Sequence, residues 1–227
     1  MFKHSSIKGS RGLTVMELLV SIAIMIIIST VIASNQKQFG AGAALKNIVN
    51  NLSLSLRQAQ IYGVSVKQLS PSSSQAYTTT GFNAGYGVHF SIVPSYPAGD
   101  NGSYLFFLDT KPSALVAPNG LYLGDMNCNP IGGTPASECL DKVVLGQGHT
   151  ITALCSLESG TENCTNEQLD ITFVRPAVDA RITFNNTGVL TDTACIEVSA
   201  TDGRKNSIVV YTTGQVSVRG TSCMDAL

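Results

Sequence analysis

One carboxylate, Glu17, stands in the otherwise uncharged run "GLTVMELLVSIAIMIIISTVIAS" (residues 12–34). An ionised side chain deep in hydrocarbon costs at least ~2.5–3.5 kcal/mol on insertion scales, and residues of this kind are usually functional. The chemistry open to such a group is pairing with a cation. A cut between Gly12 and Leu13 supplies one, because Leu13 then carries a free α-amine. Glu17 lies four residues on, in the first turn of a helix, where negative charge is favoured. The amine can pair with its own Glu17 or with that of a second copy. In the second case burial of the carboxylate drives assembly.

The other reactive side chains fall in the C-terminal part of the chain. All six cysteines, Cys128, Cys139, Cys155, Cys164, Cys195 and Cys223, lie there, with no Cys-x-x-Cys among them. An even count beyond an export-type segment reads as disulfides formed in an oxidising compartment. Pairing is cheapest between sequence neighbours across a loop, which predicts Cys128–Cys139, Cys155–Cys164 across "SLESGTEN", and Cys195–Cys223. Outside the leader only His89 and His149 remain as co-ligands, so no zinc site and no cofactor is expected. His89 sits in an apparent strand, where an edge or partly exposed position is the commoner reading, and His149 follows "GQG" in a turn. Neither belongs to a nucleophile elbow or a zincin motif. "DMNCN" (125–129) begins like a calcium loop, but Pro130 stands at the turn glycine and Ala136 at the bidentate glutamate. No catalytic activity and no metal are expected.

The elements that must position these groups are legible from periodicity. Residues 13–33 have about the twenty apolar residues that a membrane-crossing helix needs. Lys3, Lys8 and Arg11 precede this stretch and no basic residue returns before Lys37, which places the leader in the cytoplasm by the positive-inside rule. Leu45, Ile48, Val49, Leu52, Leu56 and Ala59 then recur at helical spacing, one apolar stripe suited to burial against a sheet. Gly63 reads as the helix stop. Beyond it the period changes to two: Val64/Val66, Val88/Phe90/Ile92, Ile171/Phe173 and Ile182/Phe184 read as strands. "YLFFL" (104–108) and "SIVVY" (207–211) suit buried strands. Segments near 194–200, 206–212 and 215–219, separated by "TDG" and "TTG", read as an antiparallel meander. Residues 69–85 and 126–139 read as loops. The 227-residue chain carries a formal net charge of −1, which offers no global field for nucleic acid.

"RGLTVMELLVSIAI" resembles the class III signal of type IV pilins and type II secretion pseudopilins. The resemblance implies cleavage by prepilin peptidase after Gly12, N-methylation of Leu13, and a filament-guiding role for Glu17 at the fifth mature position. The family's usual first phenylalanine is Leu13 here, and the proline usual further along its helix is Ser34. "AQIYGVSV", "GYGVHF" and "FNNTGVLTDTACIEVSATDGRKNSIVVYTTGQVSV" are similar to minor pseudopilins and minor pilins of the GspH/FimT kind. Some minor pilins of this kind capture DNA through arginines near the last strand. In this chain Gln215 stands where the first is expected, leaving Arg219, with Arg204 and Lys205 in the preceding turn.

The fold class expected is α+β: a long N-terminal helix packed on an antiparallel β-sheet or sandwich domain, disulfide-bonded. Residues 1–12 form the leader and residues 13–63 the helix, transmembrane over 13–33 and amphipathic over 43–62. Residues 64–227 form a β-rich globular domain. The function implied is that of a minor pilin or pseudopilin, a structural and assembly-initiating subunit held in the bacterial inner membrane by a single pass, with its C-terminal domain in the periplasm. Its partners are other pilins, through the helix, and prepilin peptidase. The alternative is a pilus-associated DNA-binding subunit.

Overall fold

A computed structural model describes residues 14–65, 84–93, 99–109, 119–130, 137–158 and 161–225, with the side chains of 34–39 excepted. The chain divides into two compact units, Met1–Ala41 and Gly42–Leu227. A single helix, α1 (Val15–Val64), opens the described chain. Its first part, Val15–Ala33, has a mean hydropathy of 2.6 and is nowhere buried. By length and composition that segment can cross a membrane. Two of its three hydroxyls bond back to the helix: Ser21 Oγ donates to the Glu17 carbonyl (2.7 Å), and Thr30 Oγ1 lies 2.9 Å and 2.8 Å from the Ile26 and Ile27 carbonyls. Such back-bonding satisfies the polar atoms of an apolar helix without water.

In the second unit the described strands are β1 (Gly85–Ser91), β2 (Ser103–Asp109), β3 (Cys139–Val144), β4 (Thr150–Glu158), β5 (Thr161–Asn166), β6 (Gln168–Phe173), β7 (Ala180–Phe184), β8 (Thr193–Ser199), β9 (Lys205–Tyr211) and β10 (Val216–Arg219). They form two five-stranded sheets, ordered β3-β2-β1-β6-β7 and β10-β9-β8-β4-β5. Every pairing is antiparallel.

One apolar core draws on both sheets and on the helix. Leu45, Val49, Leu52, Leu56 and Ala59, 0–2% exposed, join Val88 and Phe90 of β1, Ile171 and Phe173 of β6, and Ile196 and Ile208 of β8 and β9. Burying each of these larger aliphatic side chains stabilises the fold by ~1.5–3 kcal/mol. Ser55 shares a hydrogen bond with the Tyr104 hydroxyl (2.9 Å), and the Tyr62 ring stands edge-on to Tyr86 and Phe106. β2 is buried on both faces, because Leu105 and Phe107 pack on its far side against Tyr122 and Met126. That accounts for the unbroken "YLFFL".

Several expectations need correction. Helix α1 continues through Gly63 to Val64, so Gly63 lies within the last turn rather than capping it. An added Cβ there would sit 2.4 Å from the Phe173 carbonyl oxygen, so the residue is glycine because β6 passes close by. Val64 is helical, and Val66 lies outside the described residues. Residues 155–158 and 161–164 are strand and not loop: Cys155 belongs to β4 and Cys164 to β5, antiparallel neighbours. β5 is exposed over most of its length and, apart from Cys164, has no apolar residue, so it carries no alternation to read.

The cysteines pair as Cys128–Cys139, Cys155–Cys164 and Cys195–Cys223. The last two lie together with Val209 in a small cluster of their own. There a short 3-10 turn, Cys223–Asp225, brings the tail to β8.

Candidate functional site

Glu17 is in the first turn of α1 and exposed. Thr14 precedes the helix; its carbonyl accepts the Leu18 N–H (3.1 Å), and its Oγ1 accepts the Glu17 N–H (3.3 Å). Thr14-x-x-Glu17 has the spacing of a capping box, in which the third helical residue is commonly Glu or Gln. Sequence reasoning missed this signal, although Ser/Thr-x-x-Glu before an apolar run announces it. Capping explains the position of an acid here, and a glutamine would serve it equally. It offers the charge no partner, and among the described residues no cation pairs with Glu17. Gly12 and Leu13 lie outside the described residues. Leu18, Leu19, Met25, Ile27 and Ile32 present 52–72% of their surface around the helix, a contiguous apolar exterior that in water is a liability.

The second candidate is a buried polar layer on the far side of the β3-β2-β1-β6-β7 sheet. His89 is 5% exposed on β1, the central strand, a correction to the edge position expected from sequence. Its Nδ1 lies 2.7 Å from Asp170 Oδ1 on neighbouring β6. The Tyr122 ring covers it at 4.7 Å between centroids, and the Tyr122 hydroxyl reaches the Asp125 carbonyl and the Ser137 hydroxyl. Asp109 at the end of β2 accepts the N–H groups of Gly120 (2.7 Å) and Asn119 (3.2 Å). Together these groups fasten the segment after residue 119 to the sheet. Among the described residues no serine, threonine or cysteine is hydrogen-bonded to either histidine, since His149 Nδ1 faces the Gly146 carbonyl (3.1 Å). The layer anchors a loop; it does not present a nucleophile beside a base.

Burial pushes the Asp109 carboxyl up to about 6, against the Gly120 and Asn119 donors and Arg181, which favour its charged form. Its ordinary value is 3.8. Between these values the folded state holds more protons than the unfolded one, so stability falls as pH rises. The contribution is fully present below the unfolded value, is lost as pH rises through about 6, and amounts to about 3 kcal/mol. The melting temperature of wild type minus that of Asp109→Asn should therefore decline between about pH 4 and pH 7. A difference that stays flat over that range contradicts the assignment.

Asp125, the first residue of the calcium-like stretch, closes a turn. Its carboxylate accepts the N–H groups of Asn127 (2.9 Å) and Asn129 (2.7 Å) and the Asn129 side-chain amide (3.0 Å). Burial pushes this carboxyl up, but the Asn129 and Asn127 donors and Lys142 outweigh it and hold it below the usual range. Cys155, Glu162 and Cys164 also lie within ligand distance of one another, but both sulfurs are consumed in a disulfide.

The cations named for DNA contact are largely engaged. The Arg204 Nε lies 2.7 Å from Asp202 Oδ2, and the guanidinium packs over Gly42. Lys205 Nζ meets Glu197 Oε1 at 2.9 Å. Arg219 ends β10 and is exposed, and Gln215 precedes that strand. Compared with protein-family models, with curated proteins and with solved structures, the chain finds no match.

Proposed function

We propose that the chain is a minor pilin or pseudopilin: an assembly-initiating, non-catalytic subunit of a type IV pilus or type II secretion pseudopilus. Prepilin peptidase removes residues 1–12, the helix holds the protein in the bacterial inner membrane, and the disulfide-bonded sheets lie in the periplasm. The observation that carries this reading is Glu17, an acid without a partner among the described residues, in the first turn of a helix whose next sixteen residues are apolar or hydroxylated. Lipid alone satisfies the apolar exterior and leaves the carboxylate stranded. Neighbouring helices with cleaved, cationic N-termini satisfy both. Ser21, Ser29 and Ala33 share one side of the helix with Ile22, Met25, Ile26 and Thr30, a largely apolar face that a second helix would cover.

DNA capture gains no separate support, because Arg204 and Lys205 are bonded to Asp202 and Glu197. The processing step has a direct test. Mass spectrometry of the protein taken from membranes of cells containing prepilin peptidase should show a chain that begins at Leu13 with a methylated amine. A mature terminus near Ser34 identifies an ordinary secretory signal and removes the proposal.

A further inference from the structure

Four half-cystines stand in a row on the face of the β10-β9-β8-β4-β5 sheet that is turned away from the core. Leu154, Ile196 and Ile208 point into the core, so strand alternation puts Cys155, Cys195 and Val209 on the opposite face. Cys164 of β5 bonds Cys155 of β4, and Cys223 of the tail bonds Cys195 of β8. Between the two bridges, Cys155 and Cys195 are direct partners in the β4–β8 register. Residues opposed in this way have Cα atoms ~4.5–5.5 Å apart, within the ~4.4–6.8 Å that a disulfide spans. A Cys155–Cys195 bridge can therefore close without moving either strand.

The four sulfurs differ in access. Cys155 and Cys195 are 0% exposed and Cys223 is 1% exposed, whereas Cys164 is half-buried on the edge strand. A reductant in solution meets Cys164 first. Both sulfurs of its bridge lie within 4.8 Å of a Glu162 carboxylate oxygen. A negative charge left on Cys155 is thus opposed by burial and by that carboxylate. On Cys223 the same charge reaches water once the bond is open, because the short turn that begins there carries Met224 at 74% exposure.

We propose that this row is a disulfide-exchange switch, which frees the C-terminal tail when a dithiol reduces its accessible end. One thiolate of the dithiol attacks Cys164 Sγ, and the Cys155–Cys164 bond breaks with its electron pair on Cys155. The second sulfur of the dithiol displaces Cys164, which leaves as a thiol, and the dithiol ends as a disulfide. Cys155 then attacks Cys195 Sγ. The Cys155–Cys195 bond forms, and the Cys195–Cys223 bond breaks with its electron pair on Cys223, which takes up the second proton. Two electrons and two protons pass from the dithiol to the protein, which ends with one disulfide fewer. β4 and β8 are then cross-linked, and the tail has lost its covalent tie. At the Cys223 backbone a long N–H bond to Glu197 Oε2 (3.3 Å) is left. Cys128–Cys139 belongs to a different cluster and takes no part. The inference does not depend on the assembly role proposed above.

Tryptic peptides report the linkage. Cys155 and Cys164 share the peptide 143–181, since Pro176 protects Arg175 from cleavage; Cys195 lies in 182–204 and Cys223 in 220–227. The native full chain in detergent is given a limiting amount of dithiothreitol, quenched in acid, alkylated with a maleimide and mapped without further reduction. The expected product has 143–181 joined to 182–204, with one alkyl group on 143–181 and one on 220–227. Cys164→Ser should reach the same linkage without reductant, because Cys155 is then a thiol beside the Cys195–Cys223 bridge. Cys155→Ser should keep 182–204 joined to 220–227. The inference is overturned if reduction puts both alkyl groups on 143–181 and leaves 182–204 joined to 220–227. It is equally overturned if 182–204 is alkylated while 143–181 keeps its internal bridge, or if Cys164→Ser holds a free Cys155 beside an intact Cys195–Cys223.

Discussion

Glu17→Gln should abolish incorporation into filaments while the protein stays in the membrane. The substitution is chosen because glutamine is as good as glutamate at the third position of a capping box. The Thr14 hydroxyl keeps its bond to the backbone N–H of residue 17, and the apolar stretch Val15–Ala33 still has the length to span. Only the charge is removed. In the filament proposed above, that leaves a neighbour's α-amine buried without its partner, a loss of about 3–5 kcal/mol. Incorporation should then fall at least a hundredfold, measured as the variant's share of sheared filaments against its amount in carbonate-washed membranes. Glu17→Ala removes the charge and the capping side chain together. Wild-type incorporation by the glutamine variant with loss in the alanine variant would assign Glu17 to helix capping and end the assembly reading.

Gly63→Val should destabilise the Gly42–Leu227 unit by about 3 kcal/mol or more, the upper range for overpacking a core that cannot relax. The added Cβ would lie 2.4 Å from the Phe173 carbonyl oxygen and 2.7 Å from the Phe173 Cβ. Neither is the end of a flexible side chain. Relief requires moving the last turn of α1 away from β6, with Tyr62 drawn off Tyr86 and Phe106. Against a typical stability of ~5–15 kcal/mol, that is a large share. Gly40→Ala is the control: nothing lies within 4 Å of its added Cβ, and alanine in a helix interior is better than glycine by roughly 0.5–1 kcal/mol. Denaturant melts of the full chain in detergent separate the two. A wild-type midpoint for Gly63→Val would show that the helix end does not press on β6.

Legibility followed the range of the physics. The stripe from Leu45 to Ala59 could be read because burial on one helix face imposes a local period, and those residues are the buried ones. The strands around Val88, Ile171 and Ile182 were legible because their core-facing apolar residues alternate with polar ones, and the strand around Ile208 because its apolar run is continuous. β5 was not, since an exposed edge strand needs no apolar face and its place is set by backbone pairing with β4. His89 misled because a strand pattern does not say how many neighbours the strand has. β1 has two, and Asp170 on one of them provides the partner that permits burial.

By itself the amino-acid order determined the membrane-length helix, the lone acid in its first turn, the change from helical to strand period, and the count of half-cystines. Each of these depends on residues a few positions apart. Tertiary structure alone decided why residue 63 must lack a side chain and which buried carboxylate keeps its proton to higher pH. Those outcomes rest on which backbone passes beside which, and that is settled only when distant segments pack.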